Sequence, residues 1–164
     1  MASDAPDLAT VLARLLDDEA RLQFDRFTND DAIELGLALV AAARAEGAAV
    51  TVDVRRGAQQ LFHAALGGTT PDNDQWIVRK VRVVERFGHS SYYVGRSLAA
   101  KGRTIGDAYL VDEREYAAHG GAFPVTVRGV GPVGVVTVSG LPQADDHRLV
   151  VETLARLLGV APSP

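Results

Sequence analysis

The sequence contains no cysteine. That absence removes disulfide frameworks, thiol nucleophiles, iron–sulfur clusters and thiolate zinc sites together. The one methionine is Met1, so no internal thioether is on hand as a metal ligand. Lysine occurs only at Lys80 and Lys101, and the other basic side chains are arginines. With abundant alanine and valine, this bias reads as genome composition. A net charge of −4 argues against wholesale nucleic-acid binding. Aromatics are 6% and do not alternate with basic residues along the strand-like segments, which excludes a stacking platform for single-stranded nucleic acid. No apolar run approaches the roughly 18 residues of a membrane helix. The start, Met1 to Leu8, lacks a basic stretch followed by an apolar one, so no secretory signal is expected and the expected location is cytoplasmic. Phosphate-binding GxxxxGK[ST], dinucleotide GxGxxG and the GxSxG nucleophile elbow are all missing.

What is present is a chain of 164 residues, 47% hydrophobic, which is enough for one domain with a real core. That domain is expected to span 1–164, with frayed ends at about 1–6 and 160–164. Leu8, Val11, Leu12, Leu15 and Leu16 recur at helical spacing and predict a helix over 7–18. Leu22, Phe24 and Phe27 among polar neighbours suggest a short strand. Thr28 to Asp31 supplies caps for a helix over 30–45 that stops at Gly47. Val50, Val52 and Val54 alternate with polar residues, and Gln60 to Leu66 returns as the second strand of a hairpin. Helices are predicted over 73–87 and 90–100, and a short one over 112–119 ended by Gly120-Gly121. Valine-rich strands at 125–128 and 133–139 flank Gly129-Val130-Gly131-Pro132 as a second hairpin. Pro142, Asp145 and Asp146 open the last helix. The expected class is α+β, an antiparallel sheet built from two β-hairpins with helices packed against it.

The segment Trp76 to Phe87 carries the densest signal. Ile77, Val81 and Val84 form an apolar stripe, whereas Arg79, Arg82 and Arg86 form a basic one. Lys80 shares a face with Trp76, Val83, Val84 and Phe87, so its stem is expected to be buried. The basic stripe reads either as a solvated face or as an anion site or charged subunit contact. Trp76 is expected to anchor packing. In Gly88-His89-Ser90-Ser91-Tyr92, either serine can cap a helix; alternatively His89, Ser91 and Tyr92 line a ligand pocket. His119 before Gly120 and Gly121 is either a helix-end residue or a ligating histidine beside backbone that allows close approach. His147 shares a helical face with Val151, Leu154 and Leu158 and reads as a packed residue. The histidines at 63, 89, 119 and 147 show no local metal-ligand spacing.

Three stretches together are familiar: Thr69 to Lys80, Arg86 to Tyr92, and His119-Gly120-Gly121-Ala122-Phe123-Pro124-Val125 through Ser139-Gly140-Leu141-Pro142 to Asp146-His147. On these the chain resembles the haem-degrading domain family, the GlcG/HbpS-like group, and within it a small branch of uncharacterised cytosolic proteins. The resemblance implies a sheet flanked by helices and homo-oligomeric assembly. It also implies that some relatives bind haem or other tetrapyrroles, and that some are linked to haem breakdown or redox sensing. Two expectations follow. One is a homo-oligomeric protein that binds a small anionic ligand or haem, with slow haem degradation as its activity. The other is a non-enzymatic homo-oligomeric adaptor. Haem needs an apolar slot, an axial donor and cations for its propionates. His119, foremost as the iron ligand, with His89, Tyr92 and Tyr116, are the axial candidates. Arg79, Lys80 and Arg82 are the propionate candidates, and Trp76, Ser91, Gly120 and Gly121 complete the expected site.

Overall fold

The computed structural model describes residues 6–161. Residues 1–5 and 162–164 of the expected frayed ends lie outside the described residues. Val160 N donates to Ala155 O, and Arg21 holds Ala161 O at 2.6 Å.

Helix α1 (Leu8–Arg21) starts where the Asp7 carboxylate accepts from Thr10 N, and β1 (Gln23–Phe24) follows it. Helix α2 (Asn29–Glu46) opens on a capping box in which Thr28 and Asp31 satisfy each other's backbone N–H groups. Strands β2 (Thr51–Arg56) and β3 (Gln59–Ala65) come next. Helix α3 (Pro71–Phe87) ends at Gly88, and α4 (Ser91–Ala100) begins at once under a Ser90 cap. The short α5 (Ile105–Tyr109), strands β4 (Ala122–Val127) and β5 (Gly131–Ser139) and helix α6 (Gln143–Leu158) complete the order.

The fold is α+β, but the sheet is mixed rather than antiparallel throughout. Its order is β1-β4-β5-β2-β3. The β2–β3 and β4–β5 pairs are antiparallel, as is β2–β5 between them. The correction comes from β1, which pairs parallel to β4 with Gln23 opposite Thr126. A strand this short leaves no period to read.

Period-two alternation sorts the sheet into two faces. Val52, Val54, Phe123, Val125, Val136 and Val138 join Leu35, Leu39, Leu149, Val150 and Leu154 in the main core under α2 and α6. On the other face Ala122 and Val135 meet Ile77, Val81 and Val84 of α3. Val83 on the far side of α3 packs with Val94, Leu98 and Ile105.

The expected helix over 112–119 is absent. The Asp112 carboxylate accepts from Arg114 N, and the chain makes a turn instead. It then runs back along α3, where Ala117 N donates to Arg79 O. Among the described residues no helix is long and apolar enough to cross a membrane.

Candidate functional site

The first half of α3, the end of β5, the start of α6 and the residues just before β4 converge on a polar cavity of about 230 Å³. Trp76, Lys80, His119, Gln143 and Asp146 line it. A second cavity of about 250 Å³ is lined by Arg79, Arg103, Glu113 and Tyr116. His119 is common to both walls.

Lys80 is 3% exposed and Asp146 1%. The Lys80 ammonium donates to Asp146 Oδ2 at 3.1 Å and to Val138 O at 3.2 Å. The Asp146 carboxylate also accepts from Gly140 N and Leu141 N. Burial is the largest influence on both groups: it pulls the Lys80 pKa down and pushes the Asp146 pKa up, and mutual attraction opposes both shifts. Gly121 makes room for this pair. Its φ is +133°, and a Cβ there would stand 2.7 Å from Lys80 Nζ and collide with Val138 O. A Cβ on Gly120 would collide with Gln143 O, so the two glycines let the chain pass between α6 and the pair.

His119 lies in an extended segment after the turn, not at a helix end. Its ring packs edge-on against Trp76, with centroids 5.3 Å apart. Partial burial, then the positive charges of Lys80 and Arg79, lower its pKa, so it is a neutral imidazole at pH 7. Trp76 is half-buried at the cavity rather than a core anchor. The Arg79 guanidinium lies 4.6 Å over the Trp76 ring and donates to Glu113 O.

The expected site thus assembles in part. Trp76, Lys80, His119, Gly120 and Gly121 meet, with Arg79 behind Trp76. Arg82 instead donates to Glu115 O, and Arg86 lies over Tyr116, so the basic stripe fastens the 112–118 segment to α3. His89 sits at the start of α4, where Glu19 accepts from Ser90 N and pairs with His89 Nδ1. Ser91 is buried and its hydroxyl bonds both Ala122 N and Ala122 O. Tyr92 packs its ring against His147. Sequence reasoning missed Asp146 and Gln143. Asp146 reads as a dipole complement at a helix start, and nothing local announces that it faces a lysine 66 positions earlier. Among the described residues no group of three or more His, Asp or Glu could hold a metal ion, so His119 stands as a lone nitrogen donor.

A sheet with helices on both faces and a polar cavity beside His119 make this an α+β domain. The chain belongs to the HbpS-like family of haem-degrading proteins, whose family model matches residues 27–155. The UPF0303 protein SCO2848 of Streptomyces coelicolor is 60% identical over 96% of this chain and 99% of its own length. The crystal structure of the Ybr137w protein superposes with a TM-score of 0.83 at 34% identity, over 96% of this chain and 90% of that one. HbpS superposes with a TM-score of 0.64 at 25% identity, over 84% and 93% of the two chains. A PduOC–haem complex shares the fold at 13% identity and a TM-score of 0.66, over 84% of this chain and 99% of that one.

Proposed function

We propose that this protein is a cytoplasmic homo-oligomer that binds a small anionic ligand in the cavity walled by Trp76, Lys80, His119 and Asp146. The observation that carries the reading is the Lys80 ammonium. It has three hydrogens to donate, and its acceptors among the described residues are Val138 O and Asp146. A third acceptor is therefore wanted at a wall where a neutral imidazole and an indole also stand. An oxygen-rich anion such as a small carboxylate answers that need.

Haem is the second reading, favoured by membership in the HbpS-like family. The residues fit it in one respect. His119 offers a neutral nitrogen donor of the kind that holds haem iron, which would supply the redox chemistry of slow haem degradation. Two of the expected propionate partners do not fit, because Arg79 is engaged by Glu113 O and Arg82 by Glu115 O. Each cavity at His119 is also smaller than the roughly 300–1,000 Å³ of ordinary cofactor sites. Haem at His119 therefore calls for a wall supplied by a second copy.

Calorimetric titration with malonate and absorbance titration with haemin test both readings. One-to-one malonate binding that is lost in His119→Ala supports the first. A Soret maximum that moves in His119→Ala supports the second. Failure of both leaves the homo-oligomeric adaptor as the better description.

A further inference from the structure

A cavity larger than the two at His119 lies elsewhere in the fold. A groove of about 530 Å³ runs between α1, α4 and α6, and Val11, Leu15, Tyr92, Ala144, His147 and Val151 are among the residues that line it. His147 is 6% exposed, and neither ring nitrogen has a hydrogen-bond partner. Burial, with Arg14 adding to it, pushes its pKa down to about 4, so the ring is neutral at pH 7. A neutral imidazole then leaves one donor and one acceptor unmet, a costly state for a buried group. The Tyr92 ring stacks obliquely on it at 4.9 Å.

Two arginines, Arg14 and Arg148, line the groove with Asp18 and Glu152. Arg148 is engaged by Glu46, Asp145 and Glu152. Asp18 is paired with Arg21. Arg14 also lines the groove, is exposed, and makes no hydrogen bond or ion pair among the described residues.

We propose that this groove is a second ligand site and that it takes an apolar carboxylic acid. The hydrocarbon part lies along Val11, Leu15, Val151 and the Tyr92 ring, where burial of apolar surface drives binding. The carboxylate meets the Arg14 guanidinium in a charge-assisted hydrogen bond. A small turn of the His147 ring brings one of its unmet nitrogens to the second carboxyl oxygen or to a water beside it. Tyr92 separates this site from His119: it lines the groove, and its Cδ2 lies 3.1 Å from where a Gly120 Cβ would stand. The proposal is independent of the reading at His119.

Decanoate is the probe, with calorimetry for affinity and imidazole NMR for location. One decanoate per chain is expected, with a shift of the His147 ring signals and none at His119. Arg14→Gln, at an exposed position, should weaken binding about tenfold. Ala144→Trp, also exposed, should block the groove. His119→Ala should leave decanoate binding unchanged, which separates this site from the other. Absence of saturable binding, affinity unaltered by both Arg14→Gln and Ala144→Trp, or a shift at His119 instead of His147 would overturn the proposal. A groove closed by a second copy would give the first of those results.

Discussion

The Lys80–Asp146 pair shows how a single buried charge organises its surroundings. Two ions out of water are stabilising only when mutual attraction and further hydrogen bonds offset their desolvation. Here Val138 O, Gly140 N and Leu141 N provide those bonds. Lys80→Met removes one partner and leaves a buried carboxylate, so a loss of about 3–5 kcal/mol is expected in urea unfolding. Adding Asp146→Asn should recover part of that loss. An additive double mutant would show that the pair is not coupled. His147 makes a second prediction. It titrates near 6.5 when unfolded and at about 4 when folded. The unfolded chain therefore binds the proton first. Stability is present above pH 6.5 and falls by about 3 kcal/mol as pH drops to 4. His147→Gln should flatten that part of the pH profile, and an unchanged slope would place its origin elsewhere. The burial of Lys80 was legible from its helical neighbours, because a helix fixes which side chains share a face. Its partner was not, since pairing across 66 residues depends on how α6 docks.

Helix α3 is the element that links fold and site. One face carries Ile77, Val81 and Val84 to the sheet, the first turns bring Trp76 and Lys80 to the cavity, and the arginines fasten a returning loop. The apolar and basic stripes were both readable from spacing. The use of the basic stripe was not, because its partners are carbonyls of a segment that reads as a helix. Glu113, Glu115 and Tyr116 have the composition of a helical turn, yet the Asx turn at Asp112 competes with helix formation. Arg79→Ala and Arg82→Ala should each cost about 1 kcal/mol. Faster amide exchange over 113–118, with the sheet still protected, is the expected signature. Unchanged exchange there would mean that the arginines do not hold the loop.

At the scale of the whole molecule, α2 is apolar on two sides. Leu35 and Leu39 face the core, while Ile33 and Leu37 are 42% and 57% exposed. These exposed residues and the free edge of β3 leave apolar and hydrogen-bonding surface open in a single chain. A homo-oligomer is therefore expected, with light scattering well above the 17.4 kDa of one chain. A single-chain mass across micromolar concentrations would contradict it. The α+β class was legible from the valine alternation and helical stripes, whereas the parallel β1 was hidden by its length.

Trp76 is the only tryptophan in the sequence and it lines the cavity at His119. Its emission therefore reports on that cavity without any label. Titrating malonate into the protein at pH 7 while following this emission is the most direct test of the ligand-pocket reading. A saturable change with one site per chain is expected, absent in His119→Ala while that variant keeps the wild-type melting temperature. A linear response, or the same saturation curve in His119→Ala, would contradict the reading.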